Sequence, residues 1–399
     1  MPTSSLRGFN MPASPIRKLV PLANKAKENG IDVLHLNIGQ PDIASPPQAL
    51  DALKHIDRSI LEYSPSEGLL SLRLKLVEYY ARFFIDVHPD DIIITTGGSE
   101  AVFFSFLACL DPGDEILVPE PAYANYMAFA ISAGVIIKPI PASIDNGFAL
   151  PPIDAFEQAI TPRTRAILIC NPNNPTGYLY TSDEMERIRH LVQRFDLFLF
   201  ADEVYREFCY SPYPYFSVLR LRDIDNNVVL VDSFSKRYSL CGIRIGAVIT
   251  RNPILRQNLL KWCQARLSPP LIGQIVAQAA IDTSQTYLNQ VYNEYLKRRN
   301  CLLRAINDIP GCFAPVPMGA FYTLARIPVR DADHFCAWCL DSFSYEGQTL
   351  FLAPGSGFYS SPELGHDQVR LAFVLDAERL ARAAHLLFQA LKRYKEYEP

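Results

Sequence analysis

The sequence predicts an α/β protein: a three-layer αβα sandwich with a mainly parallel central sheet, plus a second, smaller α/β domain. Three observations lead there. Short apolar runs near Ile92, Ile116, Ile136, Ile167, Leu197 and Val228 alternate with longer amphipathic segments near Val102, Tyr126, Ala155, Met185 and Gln257. Strand–helix alternation is the mark of parallel strands joined by crossover helices, with ligands gathered at the carboxyl ends of the strands. The polar, glycine- and proline-containing motifs of the chain sit just past those apolar runs. Finally, 399 residues exceed what one core usually spans, so two domains are expected.

The elements divide as follows. Residues 1–45 form an N-terminal segment that joins the small domain, 46–285 form the large domain, and 286–399 the small one. The last part opens on a long helical stretch from Tyr287 to Ile309, continues through a strand around Ala320-Phe321-Tyr322, and ends in a helix from Ala377. Hydrophobic residues make up 49% and charged residues 20%, ordinary for a globular protein. A net charge of −4 without a basic stripe argues against nucleic acid as a partner. No apolar run reaches the ~18 residues of a membrane span. The first ten residues lack a signal-peptide core, and nine cysteines are an odd number for a disulfide framework. A reducing, cytoplasmic setting is therefore expected.

Four segments carry chemistry. In Ser233-Phe234-Ser235-Lys236, with Arg244 eight residues on, an amine stands among groups suited to a phosphate dianion. A lysine attacks an aldehyde to form a Schiff base, so a small molecule with both an aldehyde and a phosphate, pyridoxal 5′-phosphate, fits the pair. Asp202 ends the apolar run Phe198-Leu199-Phe200-Ala201, where a buried carboxylate requires a cationic partner such as a protonated pyridine nitrogen. Asn171-Pro172-Asn173-Asn174-Pro175-Thr176-Gly177 makes a rigid turn after another apolar strand and aims the Asn174 amide. Gly97-Gly98-Ser99 joins a strand to an apolar helix, exposing backbone N–H groups to an anion. Glu100, in the first turn of that helix, reads as a cap.

Other motifs are weaker. Cys336-Ala337-Trp338-Cys339 invites a redox or zinc reading, yet the surrounding 331–343 segment is amphipathic and helical, so both cysteines read as packing residues. Gly355-Ser356-Gly357 precedes no long apolar helix and reads as a turn.

With the four segments in this order, together with Ala-Asp-Glu-Val-Tyr and Gly242-x-Arg244-x-Gly246, the chain resembles the class I/II aminotransferases, pyridoxal-phosphate enzymes of fold type I. The resemblance runs from about Ser14 to the C-terminal helix. It implies Lys236, Asp202 and Tyr205 as catalytic groups: the lysine on the cofactor, the aspartate on its pyridine nitrogen. Tyr205 and Asn174 would meet the ring's phenolic oxygen and Tyr123 would stack on the ring. Gly98, Ser99, Ser233, Ser235 and Arg244 would hold the phosphate, with Tyr63 reaching it from the other subunit of a homodimer. Gly39 and Arg370 would bind the substrate carboxylate. The implied reaction is ping-pong transfer of an amino group between an amino acid and a 2-oxo acid. Aspartate with 2-oxoglutarate is the first expectation; aromatic or alanine substrates, or a carbon–sulfur lyase activity, are the alternatives. One group of aspartate aminotransferases places a lysine directly after the two glycines of the phosphate loop. Here that place is Ser99, so the cation for a distal carboxylate is sought elsewhere. Arg266, shortly before Pro269-Pro270 and expected to reach across the dimer interface, is the first candidate, and Arg17 and Lys18 are the others.

Overall fold

The computed structural model describes residues 2–397. Its centre is a seven-stranded sheet in the order Ile92–Thr95, Gly246–Ile249, Val228–Ser233, Phe198–Asp202, Thr164–Cys170, Glu115–Glu120 and Ile136–Pro141. Every pairing is parallel except those of Gly246–Ile249, which runs antiparallel to both neighbours. This strand escapes the alternation argument because it is four residues long and follows its neighbour without a long crossover helix.

Inner strands are covered on both faces, which is why they read as unbroken apolar runs. Residues alternate between the two sides: Val229, Val231 and Phe200 join one core, Val228, Leu230, Leu199 and Ala201 the other. Helices Gly97–Cys109 and Asn125–Ala133 cover the first face; Leu70–Ala81, Ser182–Phe195 and Leu271–Ile281 cover the second. The edge strand Ile136–Pro141 is only partly buried and carries Lys138, Pro139 and Pro141, which discourage further pairing.

Two smaller sheets lie outside this sandwich. Asp32–His35 pairs in parallel with Gln348–Phe351, so the N-terminal segment is stitched to a strand more than 300 residues away. Ala353–Pro354, Gln368–Ala372 and Tyr322–Arg326 form an antiparallel sheet. The long helix Gln285–Asn307 packs against Ala377–Tyr397. Cys336 and Cys339 lie on helix Ala332–Asp341 with no exposed surface, and burial pushes both thiols well above their ordinary range. They pack the core. Among the described residues no helix is long and apolar enough to cross a membrane.

Candidate active site

The carboxyl ends of Thr164–Cys170, Phe198–Asp202 and Val228–Ser233 open onto a cavity of about 880 Å3. The sequence elements converge on it from every part of the chain. Gly39, Gly98, Ser99, Tyr123, Asn174, Asp202, Tyr205, Ser233, Ser235, Lys236, Arg244 and Arg370 all line it.

One corner is built for an anion. The Ser233 hydroxyl donates to Ser235 Oγ at 3.0 Å and accepts the Ser235 amide at 3.1 Å. Arg244 sits in the left-handed region (φ 56°) with Nη1 donating to the Cys241 carbonyl at 3.0 Å. The flanking glycines are explained by close approach. A Cβ on Gly97 (φ 75°) would lie 2.4 Å from Arg244 Nη2, and one on Gly246 would lie 2.7 Å from the Gly98 nitrogen. Side chains there would fill the cradle at the N-terminus of the 13-residue helix Gly97–Cys109, where free N–H groups favour negative charge. Glu100 is a cap: its Oε2 accepts the Thr96 amide at 2.7 Å.

On the floor, Asp202 is 7% exposed; its Oδ2 accepts the Tyr126 hydroxyl at 2.7 Å and Oδ1 the Val204 amide at 3.3 Å. Burial lifts its pKa to about 6, partly offset by those two hydrogen bonds. The Lys236 ammonium donates to the Gly39 carbonyl at 2.7 Å, and burial holds its pKa below the usual lysine range. A carboxylate short of a cation and an amine readied for deprotonation thus share one cavity. Tyr205 shares a hydroxyl–hydroxyl contact of 3.0 Å with Tyr322, and the Asn174 amide donates to Tyr205 at 3.5 Å. Gly39 covers this pair so closely that a Cβ would stand 1.6 Å from the Tyr322 hydroxyl.

Arg370, on strand Gln368–Ala372, crosses the wall. It donates to Asn174 Oδ1 at 2.9 Å and to the Asn37 carbonyl at 2.6 Å, between the rings of Tyr322 (4.6 Å) and Phe358 (5.0 Å). Its buried Nε has no protein partner, which leaves donor capacity for a carboxylate.

Two residues lie elsewhere. Tyr63 is 77% exposed on the outer surface. Arg266 does not reach the cavity of its own chain. Its guanidinium is taken by Glu100 Oε2 at 2.7 Å and the Ser66 carbonyl at 3.0 Å, because helix Pro253–Arg266 ends against the start of Gly97–Cys109. Tyr126, Tyr322, Asn37 and Phe358 were not singled out from sequence. Tyr126 carries no local signal beyond its helix, and its role depends on the strand end that faces it.

The buried carboxylate, the amine and the anion cradle fit pyridoxal phosphate, and with the sandwich they define a pyridoxal-phosphate enzyme of fold type I. The aminotransferase class I and II family model matches residues 31–387, and the chain belongs to that family. An aspartate aminotransferase of Pyrococcus horikoshii is 28% identical, over 96% of this chain and 95% of its own length. An aromatic-amino-acid aminotransferase of Thermococcus litoralis is 29% identical over 96% of each. Among solved structures, the aspartate aminotransferase of Thermus thermophilus with maleate superposes with a TM-score of 0.89 at 27% identity, covering 98% of this chain and all of that one. An alanine aminotransferase from Pyrococcus furiosus gives 0.90 at 30%, with the same coverage.

Proposed function

We propose that this aminotransferase acts on acidic substrates, transferring the amino group of aspartate to 2-oxoglutarate. The observation that carries the reading is the convergence of Lys236, Asp202, Arg244 and Arg370 on one cavity. The bound cofactor supplies an electron sink for the electrons released at the substrate's Cα. In this reading Asp202, anionic and buried, holds the pyridine nitrogen protonated. Tyr205 and Asn174 orient the ring oxygen, Tyr123 covers the ring face, and Ser99, Gly98, Ser233, Ser235 and Arg244 fix the phosphate. Arg370 and the Gly39 backbone seat the substrate α-carboxylate. Lys236, in the same cavity as Asp202, would hold the cofactor's aldehyde carbon and would carry the proton to and from the substrate's Cα. Burial, which lowers its pKa, favours the neutral amine that does so.

Aspartate is supported by the names of several relatives and by the maleate, a dicarboxylate, bound to the Thermus enzyme. Aromatic and alanine relatives at similar identity keep those substrates as the second reading, as do Val20, Phe129 and Phe351 in the cavity wall. We also propose the division 1–45, 46–285 and 286–399. Its support is the pairing of Asp32–His35 with Gln348–Phe351 and the start of the long helix at Gln285. A homodimer is proposed as well, with Tyr63 completing the neighbouring site. Exposed Ile60, Leu61, Tyr63, Leu267 and Ile272 support it as apolar surface needing cover.

The test is a screen of the cofactor-loaded protein against single amino acids, with and without 2-oxoglutarate. Turnover that needs the oxo acid, fastest with aspartate, is expected. Release of pyruvate and ammonia without an acceptor marks a lyase and refutes the reading.

A further inference from the structure

The cavity holds more positive charge than its floor uses. Arg17, Lys27, Lys236, Arg244 and Arg370 line it against one acid, Asp202. In the reading above, the phosphate occupies Arg244, the α-carboxylate occupies Arg370, and Lys236 and Asp202 face the ring. Lys27 is turned onto His35, with Nζ 3.0 Å from Nε2. Lys18 is spent on Asp333 at 2.6 Å. Arg17 remains. It is exposed, and among the described residues its guanidinium makes neither a hydrogen bond nor an ion pair.

Its backbone, by contrast, is firmly seated. Ser14 Oγ accepts the Arg17 amide at 3.3 Å, opening the short helical turn Arg17–Leu19 that runs into helix Val20–Glu28. Pro15 lies so close to Gly357 that a Cβ there would meet it at 2.2 Å. Ile16 packs against the small apolar cluster that includes Phe358, the ring that faces the Arg370 guanidinium at 5.0 Å. The segment carrying Arg17 therefore rests on the residues that back the α-carboxylate clamp. Arg17, Val20, Asn24 and Lys27 all line the cavity, a helical spacing that turns one face of this segment inward. Tyr123, whose phenol is pushed up by burial, lies in the field of Arg370, Arg17 and Arg244 together.

The geometry points to Arg17, supplied within the same chain, as the residue that selects acidic substrates by pairing with their distal carboxylate. The inference rests on the transaminase reading. It replaces Arg266, whose charge is already met by Glu100. An arginine at the mouth keeps its hydration until an anion arrives, and its fork matches a carboxylate with two donors.

The experiment uses the full, cofactor-loaded chain as wild type, Arg17→Gln, Arg17→Lys and Arg266→Gln. Single-turnover kcat/KM is measured for aspartate, glutamate, alanine and phenylalanine, and succinate affinity is measured by calorimetry. A lost charge-assisted hydrogen bond predicts that Arg17→Gln lowers the aspartate-to-alanine ratio and succinate affinity by about 10- to 100-fold, with partial recovery in Arg17→Lys. A ratio and an affinity that stay at wild-type values overturn the inference. So does an equal loss for all substrates, a selective loss for phenylalanine, or a selective loss for aspartate in Arg266→Gln instead. If the wild type converts no amino acid, the transaminase reading fails, and succinate binding still decides whether Arg17 is an anion site.

Discussion

Replacing Asp202 by asparagine is expected to stabilise the cofactor-free protein while disabling its chemistry. Burial lifts the folded-state pKa from 3.8 to about 6. A carboxylate whose pKa is raised on folding helps stability below its unfolded value and loses that help as pH rises through the folded value. At pH 8 the ionised Asp202 therefore costs the empty protein about 3 kcal/mol, at ~1.4 kcal/mol per tenfold change in ionisation. Integrated over the two pKa values, about half of that cost accrues between pH 5 and 8. Asparagine escapes it but serves Tyr126 and Val204 less well, a loss of about 1 kcal/mol. The net expectation at pH 8 is a gain of about 2 kcal/mol for Asp202→Asn, shrinking to about 0.5 kcal/mol at pH 5. Denaturant melts of cofactor-stripped wild type and variant across pH 5–8.5 measure it. Pyridoxal phosphate should then reverse the order, because only the aspartate gains a cationic partner. A variant less stable than wild type at pH 8, or a difference that does not vary with pH, would refute the argument that Asp202 is held ionised against its desolvation cost.

Two further outcomes follow from single contacts. Lys236→Ala should leave no borohydride-reducible covalent link to the cofactor; a persistent adduct, read by mass spectrometry, would move the role to another lysine. Gly246→Ala should weaken cofactor binding at least tenfold and lower stability by about 1–3 kcal/mol, since its Cβ would press on the Gly97-Gly98 backbone at 2.5–2.7 Å; an unchanged cofactor Kd would show the cradle to be slack.

What was legible in the sequence was whatever local pattern dictates. The inner parallel strands announced themselves because both faces are buried, and the motifs stood out because turns past strand ends need particular residues. Gly246–Ile249 and the small-domain pairings stayed hidden: their runs are two to five residues long, and pairings such as Ile92–Thr95 with Gly246–Ile249 and Asp32–His35 with Gln348–Phe351 join residues far apart in sequence. Tyr322 was read only as part of a strand, because its contact with Tyr205 joins residues 117 apart. The in-chain partner of Arg266 was hidden for a related reason. A charge before Pro-Pro says nothing about which acid lies across the fold, and Glu100, read correctly as a cap, takes it as well.

The charged neighbours of the site residues explain how so polar a floor is held rigid. Each reactive residue has a charged neighbour in sequence that turns away from the cavity: Asp232 beside Ser233 on the strand, Glu203 just past the strand end at Asp202, and Arg237 beside Lys236 on the short helix Phe234–Arg237. These neighbours meet beneath the site. Arg237 Nη1 reaches both Asp232 oxygens at 2.8 and 3.0 Å, and Arg206 joins Asp232 at 3.5 Å to Glu203 at 3.1 Å. The Asp232 carboxylate also accepts the Ser233 amide at 2.7 Å and the Tyr80 hydroxyl at 2.5 Å. Two acids and two arginines, all at most 2% exposed, balance one another in charge. Such a network adds little net stability over an apolar core, but removing one member strands the others, at a cost of about 3–5 kcal/mol. Its effect here is geometric. It ties the ends of Phe198–Asp202 and Val228–Ser233 to the turn that carries Lys236, so that the carboxylate, the phosphate corner and the amine cannot shift independently. A cavity that must hold a ring between two charges needs that coupling more than it needs the stability.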